Sequence, residues 1–340
     1  MKIMLENLRR KSLTKTYNDP THQVHFEQGL ARYEFNAEIG VCIQKLSKDL
    51  EIEPFKKAID TISNDTSPWL RFNMIYCPKG TFMMGPDCQN SFGLRTFDLK
   101  TPATSKTIEK PFFLSETKIT QELYSKVMKN NPSYFQASTV NSKDASLYPF
   151  SLQHPIDNVS WYDALLFCNE LSKLCGLELY YNISRISTRA TSNTEKRISS
   201  ATVSRNENAN GYRLPTEIEW EYAAKAGTNN RWSGTDDDKK VDEYAWFGNN
   251  ITKASEILKL STHPVATKKP NEWGFYDMNG NLTEWCWDKY NDNKNDKDRI
   301  SRGGSYYDSY IVPLANACRY HNDPDNHSLI GFRVARSIFN

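Results

Sequence analysis

The closing segment, Arg302–Arg336, reads RGGSYYDSYIVPLANACRYHNDPDNHSLIGFRVAR. Two short blocks, RGGS at the start and GFRVAR at the end, bracket a middle rich in Tyr, His, Asn, Asp and Ser. That middle follows neither the helical nor the strand period, so it reads as irregular chain held at both ends. From Gly303 to Asn340 there is no Lys, Glu, Gln, Met or Trp, although all five types occur elsewhere in the chain. Polar loop residues interleaved with tyrosines describe a surface suited to binding.

Working back along the chain, short apolar pieces broken by Gly, Asn and Pro run from Trp246 onward. Before them, GYRLPTEIEWEYAAKAG (Gly211–Gly227) predicts a helix with Thr216 as N-cap, Glu219 three residues on and Gly227 past the end. HPIDNVSWYDALLFCNELSKLCG (His154–Gly176) predicts another, capped by Ser160 with Asp163 and closed by Gly176. PFFLSETKITQELYSKVMKNNPSYF (Pro111–Phe135) reads as a strand followed by a helix that starts at Thr120 and stops at Asn130-Asn131-Pro132. IYCPKGTFMMG (Ile75–Gly85) alternates like an edge strand. The Ser184–Asn210 stretch is almost without large apolar residues and reads as a mobile surface loop or a long exposed hairpin. In residues 1–70, Leu30, Tyr33, Phe35, Ile39, Ile43 and Leu46 recur mostly at spacings of three and four, which predicts a helical N-terminal segment packed on a main body, 71–340. Three helices among short strands and long connections give an irregular α+β fold and not a doubly wound sheet.

Composition narrows the function. A net charge of +2 gives no reason to expect nucleic acid or an anionic membrane surface as partner. The seven cysteines have no zinc spacing, and their odd number argues against a complete disulfide framework, so most are expected to be buried thiols. The beginning, MKIMLENLRRKSLTK, has no apolar core of a secretory signal, and no later run is long enough to span a membrane. His154 and His263 each precede proline beside apolar residues and read as structural. YNDNKNDKD (Tyr290–Asp298) lacks the glycine and terminal Glu of a calcium loop and reads as a solvated turn.

Taken in order, GTFMMG, PFFLSETKIT, HPIDNVSWYDALLFCNELS, GYRLPTEIEWEYAAKAG, HPVATKKPNEWGFYDMNGNLTEW, RGGS and GFRVAR resemble the formylglycine-generating-enzyme (sulfatase-modifying factor) family, a branch of the C-type lectin-like fold. The resemblance covers about Ile75 to Arg336, leaving out residues 1–70 and the Ser184–Asn210 stretch. Catalytic members of that family oxidise a substrate cysteine with two cysteines just after RGGS. Asp308 and Pro313 stand at those positions here. Neither a carboxylate nor an imino ring replaces a nucleophilic or copper-ligating sulfur.

The chain also looks like the variable proteins of diversity-generating retroelements, which use this fold without the cysteines. In that group, adenines of a template are mutated during copying, and the resulting codons cannot specify Lys, Glu, Gln, Met or Trp. That resemblance implies a non-enzymatic binding protein with a variable region at 303–336. It implies a protein or glycan ligand, a monomer, and display at the cell surface; without an export or lipid signal the alternative is cytoplasmic. Tyr306, Tyr307, Tyr310 and Tyr320 would supply rigid contact area, and Asp308, Ser309, His321, Asn322, Asp323, Asp325, Asn326, His327 and Ser328 adaptable hydrogen bonds, a mixture close to antibody paratopes. The alternative is a divergent enzyme on the same scaffold, using other residues.

No cofactor is required by this reading, but Asp277–Trp285 matches a calcium block of the enzyme family, with the Asp277 and Glu284 carboxylates and the Gly280 and Leu282 carbonyls as ligands. In the competing reading, Asn279-Gly280 is a tight turn and Glu284 pairs with Arg302 or Arg333. The sugar-binding triplets of true C-type lectins, EPN and QPD, are absent.

Overall fold

The computed structural model describes residues 17–19, 22–27, 30–35, 57–64, 67–85, 88–91, 94–97, 103–136, 151–190, 196–248, 261–290 and 297–338. Its helices are α1 (Gln121–Met128), α2 (Trp161–Leu174), α3 (Glu217–Lys225) and the short α4 (Val241–Tyr244). Thr120 caps α1, accepting from the Leu123 N–H. Ser160 with Asp163 and Thr216 with Glu219 form complete capping boxes on α2 and α3. These local hydrogen bonds satisfy otherwise orphaned N–H groups, and they fall at the positions read from the sequence. No helix among the described residues is long and apolar enough to cross a membrane.

The strands, in chain order, are β1 (Tyr17–Asp19), β2 (His22–Glu27), β3 (Leu30–Phe35), β4 (Lys57–Asn64), β5 (Ser67–Cys77), β6 (Gly80–Met84), β7 (Cys88–Ser91), β8 (Leu94–Phe97), β9 (Thr104–Ile108), β10 (Phe112–Ser115), β11 (Tyr181–Ala190), β12 (Lys196–Arg205), β13 (Tyr212–Arg213), β14 (Thr283–Lys289), β15 (Arg299–Arg302), β16 (Arg319–Asn322), β17 (Ile330–Gly331) and β18 (Ala335–Ser337). The largest sheet runs β1-β2-β3-β4-β5-β10-β18-β13, and a second runs β16-β15-β14-β17. The C-terminal segment therefore leaves the second sheet at β15, returns to it as β16 and β17, and ends in the first sheet as β18. Both of its ends are strands.

The N-terminal expectation needs correction. Where described, residues 17–64 are strands, and β5 runs through the boundary expected at 70/71, joining the early strands to the main sheet. Val24 and Phe26 in β2, and Ala31, Tyr33 and Phe35 in β3, alternate with polar residues, and this period of two prevails over the spacing of three and four. Residues 36–56, with Ile39, Ile43 and Leu46, lie outside the described residues. The Ser184–Asn210 stretch resolves into the hairpin of the two alternatives, β11 paired antiparallel with β12.

Two large clusters make the core. One packs Trp161, Phe167 and Leu171 of α2 with Tyr124, Trp285 and Phe332; the other packs Trp220 and Ala223 of α3 with Ile75, Phe112, Leu114 and Cys286. The four tryptophans fully buried among the described residues all have a partner for the indole N–H, as burial requires. Trp161 donates to the Cys286 carbonyl at 2.9 Å, Trp285 to Val159 at 3.2 Å, Trp220 to Glu284 at 2.7 Å and Trp232 to Ile311 at 2.8 Å. Cys77, Cys168, Cys175 and Cys286 are buried free thiols, as expected for most of the cysteines, whereas Cys318 is disulfide-bonded.

Candidate binding surface

Two fully buried arginines fix the ends of the C-terminal segment. Arg302, the last residue of β15, donates to Glu217 at 3.0 Å, to Glu221, and to the carbonyls of Asn316 at 2.6 Å and Ala317 at 3.3 Å. Glu217 also receives Arg319 through Nε at 2.6 Å and Nη2 at 3.0 Å. At the far end, Arg333 grips both oxygens of Glu284, at 2.7 and 2.9 Å, and reaches the carbonyls of Ser115, Glu116 and Tyr276. Between β15 and the loop, Gly303 takes φ +95°, and a Cβ there would lie 2.5 Å from the Met278 carbonyl oxygen. Only glycine fits such a positive φ and so close an approach.

Between these pins several backbone carbonyls are held by groups outside the segment. Gly248 N–H donates to the Asp308 carbonyl at 2.9 Å, Trp232 to Ile311, Trp161 N–H to Pro324 at 3.0 Å, and Thr283 N–H to Leu329 at 3.0 Å. The side chains divide into two sets. Tyr307, Ser309, Tyr310, His321, Asp323 and Ser328 are exposed. The others named from the sequence are partly or wholly committed to structure.

Tyr306 is the clearest correction among them: it is buried, edge-on to Phe135 at 5.4 Å and clustered with Leu282. Asp308 closes a turn by accepting from Ser305 N–H at 2.7 Å, and the Tyr320 hydroxyl donates to the Pro313 carbonyl at 2.8 Å. Asn322 donates to Ser301 at 2.9 Å and accepts from Asn326 at 2.8 Å. Asn326 in turn accepts from His327 N–H at 2.7 Å. Asp325 pairs with Arg189 at 2.9 Å and Arg197 at 3.3 Å, tying the segment to the β11–β12 hairpin. His321 stays exposed while bonding Asp298 at 2.8 Å.

The calcium reading gives way to an ammonium. Lys118 Nζ donates to the Asp277 carbonyl at 2.7 Å and to the Glu284 carboxylate, so a protein cation sits between two residues of the expected ligand set. With Arg333 and Trp220 also on Glu284, its oxygens are saturated, and a divalent ion would face two like charges. The structure thus follows the competing reading, with Arg333 and not Arg302 as the base. Burial opposes the charge on Glu284, but Arg333 and Lys118 outweigh it and hold the carboxyl below its ordinary range. Burial pushes the Asp277 carboxyl up; one of its oxygens accepts from Ala266 N–H at 2.9 Å. Among the described residues no group of three His, Cys, Asp or Glu is placed to hold a metal. His154 and His263, read as structural, are buried, and burial pushes both imidazoles down to about 4.

The sequence reading missed the segment after α1. There the buried Asp157 carboxylate accepts from Tyr134 N–H at 3.2 and 3.3 Å, and Asp157 N–H donates to the Ser133 hydroxyl at 3.2 Å. Tyr134 itself is exposed, and its ring meets Phe135 edge-on at 5.1 Å. The available signal was the tyrosine beside the Asn130-Asn131-Pro132 stop, but its neighbours are set by a contact across 23 residues. Burial raises the Asp157 carboxyl from 3.8 to about 6, against the hydrogen bonds that favour its charge. The folded state then holds the proton more tightly than the unfolded one, so stability falls as pH rises through this range. Asp157→Asn is expected to be about 1–3 kcal/mol more stable than the parent at pH 8, with the difference vanishing near pH 4, by urea denaturation at both.

The sequence profile of the sulfatase-modifying factor enzyme 1-like domain matches residues 63–338. The chain belongs to this family. Among curated relatives, the chaperone protein LppX of Paenibacillus barcinonensis is 34% identical over 210 residues, 58% of this chain and 70% of that protein. The formylglycine-generating enzyme of Bos taurus is 30% identical over 203 residues, 54% of this chain; the chain spans only 44% of that enzyme's length. Among solved structures, Treponema denticola variable protein 1 is 30% identical with a TM-score of 0.63, over 83% of this chain and 99% of that one. CarF is 27% identical with a TM-score of 0.57, over 79% and 99%. The α+β, C-type lectin-like fold is thus the fold of the family. The pair of positions that would carry catalytic cysteines is Asp308, which closes a turn, and Pro313, whose carbonyl receives Tyr320.

Proposed function

We propose that this sulfatase-modifying-factor-type chain is a non-enzymatic binding protein that presents exposed side chains of its C-terminal segment to a protein ligand. The observation that carries the reading is the division within that segment: the scaffold holds the backbone, and Tyr307, Ser309, Tyr310, His321, Asp323 and Ser328 face out. Rigid tyrosines among small hydrogen-bonding side chains give contact area at low entropic cost. The similarity to Treponema denticola variable protein 1 supports it. A protein is favoured over a glycan because the sugar-binding triplets are absent.

An enzyme would need a cavity with free chemistry. One cavity among the described residues, of about 300 Å³ beside β10, is lined by Asn73, Glu116, Thr117, Lys118 and Gln153, and its lysine is locked onto Glu284.

The missing residue types follow if the segment is rewritten by adenine-directed copying. Sequencing the DNA on either side of the gene tests this. The expected result is a near-copy of the part encoding Arg302–Arg336, differing where its own adenines stand, beside a reverse transcriptase gene. Finding neither overturns the diversified reading and brings the divergent enzyme forward. At the protein level, Tyr307→Ala and Tyr310→Ala are each expected to change stability by no more than about 0.5 kcal/mol. Asp308→Ala, which opens the Ser305 turn, should cost about 1 kcal/mol in the same urea titrations.

A further inference from the structure

We infer that the binding surface extends beyond the C-terminal segment to Tyr134, a fixed aromatic contact for the same protein ligand. This rests on the reading above. Tyr134, Tyr310 and Tyr307, at 65%, 63% and 60% exposure, are the three most exposed large hydrophobic side chains among the described residues. Two of them belong to the C-terminal segment and the third is joined to it by packing. Phe135 and Tyr306 point inward and meet edge-on at 5.4 Å, while the residues beside them in sequence, Tyr134 and Tyr307, point outward. Trp246 and Leu329 pack against the same buried rings, so one apolar base carries both outward tyrosines.

The Tyr134 loop is built to be stiff. Asp157 receives the Tyr134 N–H, Asn131 receives the Ser133 N–H at 3.1 Å, and Gln136 donates back to the carbonyls of Asn131 at 3.0 Å and Ser133 at 2.8 Å. Asn158 donates to the Pro132 carbonyl at 2.8 Å. A loop with this many side-chain clamps, one of them a buried carboxylate, holds a single exposed ring in place. Pre-organised aromatics lose little entropy on binding and dominate protein interfaces. Tyr134 lies outside the segment that lacks the five residue types, so it offers each variant of the surface the same first contact.

The probe is a phage-displayed random peptide library, selected on the full chain and screened for clones that lose binding on the Tyr307→Ala Tyr310→Ala double variant. The dissociation constant of the best such peptide is then measured on the parent, Tyr134→Ala, Tyr134→Phe and Ile186→Ala, the last an exposed apolar residue of the hairpin. Tyr134→Ala is expected to weaken binding about tenfold or more and Tyr134→Phe less than about threefold, with Ile186→Ala unchanged. Tyr134→Ala binding within about twofold of the parent overturns the inference while leaving the C-terminal surface intact. Failure to obtain any peptide sensitive to the double variant overturns the reading beneath it as well. A glycan array probed in parallel that binds in a Tyr307-dependent way, with no peptide selected, overturns the assignment of a protein ligand.

Discussion

Arg302→Ala is expected to destabilise the protein by about 3–5 kcal/mol, the cost of removing one partner from a buried ion pair. Arg302 is fully buried between Glu217 and Glu221, and Glu221 is itself without exposure. Without the guanidinium, Glu221 keeps only Lys225 at 3.6 Å and the Gly85 N–H at 2.7 Å, while Glu217 keeps Arg319. The carbonyls of Asn316 and Ala317 lose their donor at the same time, so the first half of the C-terminal segment comes loose from α3. Arg302→Lys retains the charge but cannot fork to two carboxylates and two carbonyls, and it should fall between the parent and Arg302→Ala. Urea unfolding measures the stability, and limited proteolysis between Gly303 and Tyr320 measures the loosening. A loss below about 1 kcal/mol for Arg302→Ala would show that the arginine is not a pin, since surface-like pairs are worth no more than that.

The second large effect is at Glu284. Glu284→Gln leaves Lys118 and Arg333 facing each other in the core, and a loss of about 3–5 kcal/mol is expected. Burial already pulls the Lys118 ammonium down, against the pull of Glu284. Removing Glu284 should therefore drive the lysine towards its neutral form. The double variant Lys118→Met Glu284→Gln removes both partners of that pair and should be less damaging than the sum of the single changes, giving a non-zero coupling in a double-mutant cycle. The same site gives a metal test. A calcium site occupied a hundredfold above its dissociation constant would add about 2.7 kcal/mol, whereas the parent protein is expected to melt at the same temperature in calcium and in EDTA. A clear calcium-dependent rise in the parent would restore the ligand set that Lys118 displaces.

How far the sequence could be read depended on the range of the interaction. The caps of α2 and α3 are legible because Ser160 and Asp163, or Thr216 and Glu219, lie three residues apart and close their hydrogen bonds locally. The family blocks are legible because most carry their own capped helix, turn or strand. By contrast, Lys118 finds Glu284 across 166 residues, and no local pattern announces it. The choice of Arg333 over Arg302 shows a subtler limit. Glu284 stands directly opposite Arg302 in the β14–β15 register, yet its oxygens are taken by Arg333 while Arg302 turns to α3. Tyr306 and Tyr307 are equivalent in composition and opposite in burial, because only the first lies over Phe135. In β2 and β3 two periodicities compete within a few residues, and sheet pairing decides between them.

Several of the contacts that hold the C-terminal segment land on carbonyl oxygens: Asp308 to Gly248, Ile311 to Trp232, Pro324 to Trp161 and Leu329 to Thr283. A carbonyl is common to all twenty residue types, so this grip is blind to the identity of what it grips. Most proteins explore new surfaces close to a stability threshold, where each added change risks losing the fold. The outward positions are expected to be exchanged without approaching that threshold, so that evolvability would be a property of where the hydrogen bonds land.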